Sequence, residues 1–293
     1  MVTKCIVILV LLFTFAISNP SFALSKLGHQ VVCQLAFEHL SEAKQDEVTA
    51  LLNTIPKRHK NLINSYNYLK KDNVVTFANA CTWADSIKRI EEFVKYSSWH
   101  YMNVSRVQNE IEINSCKKNC LPQAILKHQK IITQNKNQHN WQRAQALLFL
   151  GHWLGDIHQP LHVSFSDDLG GNKVKFSHLD TKCDNLHRYW DECVLYKGKQ
   201  NKLKWLDFLN AKWDQQSQPN WQTKQVWQWA DESFQLIRKP SFNYCQLNAS
   251  GNCQKPKGKI KLPPDYLKQY QPIIEQRLLQ AAQRLTKVLE ASL

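Results

Sequence analysis

Long apolar runs are almost missing from this 293-residue chain. A membrane-spanning helix needs about 20 consecutive apolar residues. Past residue 23 no stretch approaches that length, which excludes a membrane protein. Alternating apolar and polar residues are equally scarce, which excludes an all-β sandwich or barrel. No internal repeat, heptad array or low-complexity linker divides the chain, so the loose stretch from Asn248 to Lys261 reads as a loop within one domain. Acidic side chains are the last shortage. Only 24 Asp and Glu face 38 Lys and Arg, a formal net charge of +14. Such a chain favours polyanions, although surplus lysine also serves plain solubility.

The one apolar run lies at the start. Lys4 precedes Cys5 to Ile17, and Ser21-Phe22-Ala23 supplies small residues at the positions signal peptidase reads. This predicts a signal peptide over residues 1–23, cleavage after Ala23, and a mature domain over 24–293 that is secreted or periplasmic. With 43% hydrophobic residues the mature chain can bury a full core. Removing Cys5 from the nine cysteines leaves eight, and an even number outside the cytoplasm favours disulfides over thiolate metal ligands. Cys116 with Cys120 and Cys245 with Cys253 are close enough to bridge locally, Cys183 and Cys193 flank His187, and Cys33 and Cys81 remain. Four cysteines alone allow three pairings, so the connectivity stays open.

Helical periodicity dominates the rest, with helices predicted at 25–40, 42–53, 73–93, 121–135, 139–157, 184–195, 222–238 and 265–291. A small hairpin is expected at Lys173–Ser177, after the Gly170-Gly171-Asn172 turn. The ten tryptophans include Trp83, Trp99, Trp153 and Trp190 beside the polar motifs described next, and core packing explains them. The fold class is mostly α, with that hairpin as the minor β component.

Three histidines and an aspartate fall between His152 and His162, in a chain with 11 histidines in all. Ala144, Leu147, Leu148, Leu150 and Leu154 recur at helical spacing, so His152 and Asp156 project from one helix face. Pro160 then ends the helix and the chain turns His162 back toward the same end. His187 and Asp191 repeat the spacing of four. Asp85 sits in Trp83-Ala84-Asp85, His100 in Trp99-His100-Tyr101, and His29 lies five residues after Leu24, whose free amine and carbonyl can chelate once exposed. A lone His-x-x-x-Asp pair is more often a surface or core contact than a ligand pair. Five histidines, three aspartates and a terminus, all nitrogen and oxygen donors, instead suit zinc in a catalytic role, with three ions to accommodate them.

The ordered set Gly28-His29, Trp83-Ala84-Asp85, Trp99-His100-Tyr101, His152-x-x-x-Asp156-x-His158-Gln-Pro-Leu-His162, Gly170-Gly171-Asn172 and Asn185-Leu186-His187-x-x-Trp190-Asp191 resembles the zinc-dependent single-strand nucleases of moulds and their plant bifunctional and bacterial relatives. The match spans nearly the whole mature chain. The resemblance implies a single-domain helical fold, shared with bacterial zinc phospholipases C, around a trinuclear zinc cleft. It assigns one zinc to Asp85, His100, His152 and Asp156, a second to His162, His187 and Asp191, and a third to the Leu24 terminus, His29 and a bridging Asp156. His158 is placed behind the ligands, orienting one of them. The implied activity is hydrolysis of single-stranded RNA and DNA to 5′-phosphorylated products, with 3′-nucleotidase action on 3′-nucleotides. No obligate protein partner and no membrane enter. Zinc acidifies water for attack on phosphorus without a separate protein base, with Asp85 positioned to orient the nucleophile.

Several positions depart from the family pattern. Leu24 stands where tryptophan is usual, which leaves main-chain ligation intact. Lys88 replaces an arginine that contacts the phosphate; its alternative is a solvated helix lysine. Tyr101 matches the aromatic on which a base stacks, and Asn103 replaces an aspartate that hydrogen-bonds the base. Asn172 is a candidate phosphate contact, though a turn also explains it. Two rival readings remain. A zinc phospholipase C is disfavoured by Asp191, where those enzymes carry glutamate, and by Tyr101. A non-catalytic zinc-binding or nucleic-acid-binding protein is disfavoured by the complete ligand set.

Overall fold

The helix expected at 139–157 forms the axis of the molecule. A computed structural model of the chain describes residues 24–293 apart from 117–118, 135, 137, 176–182, 215–220, 222–224, 243 and 255–257. The helices are α1 (Lys26–Glu38), α2 (Glu42–Asn53), α3 (Lys57–Tyr66), α4 (Phe77–Ala80), α5 (Trp83–Ile87), α6 (Leu121–Gln134), α7 (Trp141–His158), α8 (Leu186–Arg188), α9 (Val194–Lys199), α10 (Lys202–Asn210), α11 (Val226–Arg238) and α12 (Tyr266–Ser292). A 3-10 helix covers Glu91–His100, and a π-helical turn at Tyr189–Cys193 joins α8 to α9.

Asn140 starts α7 by accepting a hydrogen bond from Arg143 N at 2.9 Å. From there the helix is covered on every side by α1, α5, α6, α11 and α12. Leu147, Leu150, Leu154 and Ile157 are fully buried, each stabilising the fold by roughly 1.5–3 kcal/mol. Asp156 and His152 are fully buried as well, which a helix this central tolerates only if their polar atoms find partners. Trp83, Trp99, Trp153 and Trp190 are all buried around the same axis, as core packing requires.

The predicted helix at 73–93 is instead α4, α5 and the start of the 3-10 helix. Side chains interrupt the ladder there: Thr82 Oγ1 donates to Asn79 O at 2.7 Å and Asn67 Nδ2 donates to Thr82 Oγ1 at 2.8 Å. Helices α3 and α10 were not anticipated. α3 is polar along most of its length, with only Ile63 as a fully buried apolar residue. α10 carried a readable signal in the cap Asn201 and the buried Trp205, Leu206 and Leu209.

The β component lies away from the expected hairpin. Met102–Val104 and Val163–Phe165 pair in parallel, Met102 opposite Val163 and Val104 opposite Phe165. Lys175 forms an isolated antiparallel bridge with Asn185, while Phe176 and Ser177 lie outside the described residues. Each strand of the parallel pair follows a predicted zinc ligand, His100 or His162, so the pairing brings those two histidines to the same end of the sheet. The cysteines pair as Cys33–Cys81, Cys116–Cys120, Cys183–Cys193 and Cys245–Cys253. The first ties α1, with His29, to the residues just before Asp85. The third clamps the ends of the segment carrying His187 and Asp191.

Candidate metal centre

The eight predicted side-chain ligands converge although they come from six separate segments. Three donor groups form, each with its atoms within 4.8 Å of one another: His29, Asp85 and His152; His100, His152 and Asp156; and His162, His187 and Asp191. Asp156 is their junction. Its carboxylate lies 3.4 Å from His29 Nε2, 3.1 Å from His100 Nδ1, 3.2 Å from His152 Nε2 and 3.3 Å from His162 Nδ1. Asp191 lies 3.3 Å from both His162 Nε2 and His187 Nε2. The spacing of four brings His187 and Asp191 together even though the helix widens to a π turn between them, a distortion frequent at functional sites.

Main-chain carbonyls orient the rings. His152 Nδ1 donates to Cys81 O and His187 Nδ1 to Gly170 O, both at 2.7 Å, which leaves each Nε2 facing the cleft. Gly170 has φ of 61°, and a side chain there would press within 2.5 Å of Leu161 O. Gly155 permits another close approach, since a Cβ on it would lie 2.7 Å from His29 Nδ1 and 3.2 Å from Leu24 Cδ2. Leu24 is buried against this part of α7, and Ser25 N donates to Asp191 O at 2.9 Å, so Leu24 and Ser25 lie beside the predicted ligands.

The electrostatics are those of a crowded buried cluster. Burial pushes the Asp156 carboxyl up, but His152, His162 and His100 outweigh it and hold it well below the usual carboxylate range. Burial acts likewise on Asp85, and Lys88 with the nearby imidazoles reverses it to well below the usual range. Burial lowers His100 to about 4. His162 feels the same burial, yet Asp156 and Asp191 raise it to about 10. The carboxylates thus outweigh burial at His152 and His162, while burial wins at His29 and His100.

Whether the donor set fits metal ions is answered by its unmet polar atoms. Both ring nitrogens of His29 and of His162, Asp156 Oδ1 and Asp191 Oδ2 are buried and have no hydrogen-bond partner among the described residues. Leaving so many buried polar atoms unmet would cost about 1–3 kcal/mol each. Imidazole and carboxylate atoms arranged around shared centres are what borderline divalent metals bind. The residues fit. A fourth grouping, Asp168 with Cys245 and Cys253, does not, because those sulfurs are bonded to each other.

The remaining predicted residues fall into place unevenly. Lys88 Nζ lies 3.0 Å from Asp85 Oδ1 and its side chain is only 13% exposed, so it is not a solvated helix lysine. Tyr101 is 37% exposed at the rim, where the 3-10 helix ends. Asn103 projects from the first strand with its Oδ1 buried and lacking a hydrogen-bond partner among the described residues, next to Gly170. Asn172 donates to Leu169 O at 2.9 Å within its own turn, which accounts for its amide nitrogen. His158 departs from expectation. It donates from Nδ1 to Leu154 O at 2.7 Å and its Nε2 accepts from Arg284 at 2.8 Å, so no ring nitrogen remains to orient a ligand.

Two contributors went unread in the sequence. Gln159 Nε2 donates to Asp191 Oδ1 at 2.6 Å, the role assigned to its neighbour; its place inside the His158–His162 motif was the available signal. Tyr66 donates to Asp85 Oδ2 at 3.3 Å from α3, a helix the pattern did not reveal.

Comparison with known proteins agrees with this geometry. The family model described as S1/P1 Nuclease matches residues 24–293. The chain is 27% identical to Endonuclease 3 of Arabidopsis thaliana, over 92% of this chain and 89% of that protein. It is 26% identical to Endonuclease 1 of the same plant, over 98% and 92%. With Nuclease S1 of Aspergillus oryzae it shares 25% identity over 61% of this chain and 56% of that protein.

Proposed function

The chain belongs to the S1/P1 nuclease family, and on that premise we propose that it is an exported, zinc-dependent phosphodiesterase. Its substrates are single-stranded RNA and DNA, cut to 5′-phosphorylated products, with 3′-nucleotidase activity at the same site. The observation that carries this reading is the convergence of unmet buried nitrogen and oxygen atoms around Asp156. Three zinc ions are proposed, one on Asp85, His100, His152 and Asp156, one on His162, His187 and Asp191, and one on His29, Asp156 and the main chain of Leu24. The last requires a free amine at Leu24, hence cleavage after Ala23. Bound zinc supplies Lewis acidity, acidifying water and neutralising phosphate charge.

The protein's own groups do the rest. Asp85, kept ionised by Lys88, accepts a hydrogen bond from the attacking water and aligns it. The Lys88 ammonium, largely shielded from solvent, stabilises negative charge gathering on the phosphoryl oxygens. Gln159 holds Asp191 and the Cys81 carbonyl holds His152, so the ligands are set before substrate arrives. Tyr101 offers its ring to an unpaired base, and the Asn103 carboxamide meets the base edge as both donor and acceptor.

The test is to load the protein, processed to begin at Leu24, with zinc and incubate it with defined single-stranded RNA and DNA. Cleavage with 5′-phosphate ends, lost to a chelator and restored by zinc, is the expected result. No hydrolysis from mildly acidic to mildly basic pH would overturn it. Metal analysis should return three zincs per chain, and fewer when extra residues precede Leu24.

A further inference from the structure

Beyond the metal centre, on the Asp85 side, the surface carries a feature that hydrolysis leaves unused. Tyr68 is 90% exposed, and its backbone sits at φ of 58°, a conformation tyrosine takes only where its surroundings enforce it. The enforcement comes from below. Leu69 N donates to Asn64 O at 2.8 Å, and the buried Asn64 amide donates to Lys71 O at 3.2 Å and Asn73 O at 2.8 Å. Asn67 donates to Ile63 O and to Thr82 Oγ1, both at 2.8 Å, and accepts from Gln30 at 2.8 Å. A loop whose backbone is held by buried amides therefore displays an aromatic ring at the surface.

One cation connects that ring to the cleft. Lys26 Nζ lies 3.6 Å from the centre of the Tyr68 ring and 5.1 Å from that of Tyr66, both within cation–π range. Tyr66 in turn donates to Asp85 Oδ2 at 3.3 Å. An unbroken line of contacts thus runs from a proposed zinc ligand through Tyr66 and Lys26 to Tyr68 at the surface. Exposed Lys70 and Lys71 follow directly in the chain. Glu192, whose charge reaches Lys26, is itself paired with Arg188 at 3.2 Å, which blunts its repulsion of an incoming anion.

We infer that Lys26 and Tyr68 form an outer subsite for an unpaired nucleotide of the bound strand, beyond the two nucleotides that flank the scissile phosphate. Its base stacks on the face of Tyr68 turned away from Lys26, and its phosphate is met by Lys26 with Lys70 or Lys71. The ligand class is single-stranded polynucleotide, because a duplex hides its base faces, and every base has a face to stack. Tyr68 is linked to Asp85 only through Lys26 and Tyr66, so the subsite acts on strands of several nucleotides rather than on a dinucleotide. This subsite rests on the nuclease reading above.

The test compares KM for a single-stranded oligonucleotide with KM for a dinucleoside monophosphate, using the zinc-loaded enzyme and its Tyr68→Ala, Tyr68→Phe and Lys26→Gln variants. Loss of one stacked base should raise that ratio about 5- to 150-fold in Tyr68→Ala. Tyr68→Phe, which keeps the ring, should retain the original ratio. Lys26→Gln should lower the salt dependence of oligonucleotide affinity by about 0.7 in the log–log slope. An unchanged ratio in Tyr68→Ala, or equal impairment of the Ala and Phe variants, overturns the subsite. Affinity for a phosphorothioate oligonucleotide, read by fluorescence anisotropy, supplies an independent measure. If the unmodified enzyme cleaves no single strand, the nuclease reading fails instead, and the anisotropy comparison still decides Tyr68.

Discussion

Two buried polar clusters meet on the last turn of α7, and they solve the same problem in opposite ways. On one side Asp156 gathers His29, His100, His152 and His162 at 3.1 to 3.4 Å, with several atoms lacking any hydrogen bond among the described residues. On the other side, two residues further along, His158 accepts from Arg284, and Arg284 and Arg277 converge on Glu232. Arg284 Nη1 and Nη2 meet Glu232 at 2.7 and 2.9 Å, Arg277 Nη1 meets it at 3.0 Å, and Arg277 also reaches Ser233 at 2.6 Å and the His158 carbonyl at 3.1 Å. The second cluster closes on itself and cements α7, α11 and α12. The first does not close, and that difference separates a site from a strut. Burial and charge alone do not distinguish them; satisfaction of the polar atoms does.

The sharpest way to break the comparison is to substitute on each side. Asp156→Asn should reduce hydrolysis on the order of 10⁴-fold or more and cut bound zinc below three, because that carboxylate serves two of the proposed ions. Metal analysis with kinetics checks it. Glu232→Gln should do the reverse. With both guanidinium groups left buried and uncompensated, the fold should lose about 3–5 kcal/mol, seen as a Tm lower by on the order of 10 °C. Activity per folded molecule should stay within a few-fold. If Glu232→Gln silenced the enzyme without destabilising it, the strut would be part of the site.

Gln159 belongs to the boundary between the clusters. Gln159→Leu should weaken zinc at His162, His187 and Asp191 by about 10- to 100-fold, as removal of a supporting hydrogen bond usually does, measurable by competition with a chelating dye. Little change in Tm of the metal-free protein is expected.

The smallest effect per step is in pH. In chelator-treated protein His162 titrates at about 10 in the fold, above the 6.5 of an unfolded imidazole. Its contribution is therefore complete below pH 6.5 and disappears as pH rises toward 10, with a slope of at most about 1.4 kcal/mol per pH unit. His158 is shifted the other way. Burial, then the Arg277 and Arg284 charges, hold it well below 6.5, so its contribution is present above pH 6.5 and is lost as pH falls. Denaturant titrations should show His162→Gln flattening the alkaline limb and His158→Gln the acidic one. Zinc should abolish the alkaline loss, since the metal takes the place of the His162 proton.

How legible each cluster was in the sequence follows from the range of its contacts. His152 with Asp156, and His187 with Asp191, were readable because spacing of four on a helix is a local geometric fact. Most helices were readable for the same reason, their apolar residues recurring at the same period. The parallel pairing of Met102–Val104 with Val163–Phe165 was not, because three-residue strands joined across some sixty residues leave no periodic trace. Tyr66 was hidden by a polar helix. His158 was misread because it shares a motif with the ligands, while its partner Arg284 stands 126 residues away.

By itself the sequence determined the chemistry on offer: nitrogen and oxygen donors on helix faces, cysteines for four bridges, a basic chain with no long apolar run past residue 23. Side-chain type and local helical period need no tertiary context. Only the folded structure decided that Asp156 would be shared by four imidazoles, that His158 would turn to an arginine strut, and that Lys26 would link Tyr66 to an exposed Tyr68. Each of those depends on which distant helices cover α7 or frame the cleft, and close packing of a core is a property of the whole chain.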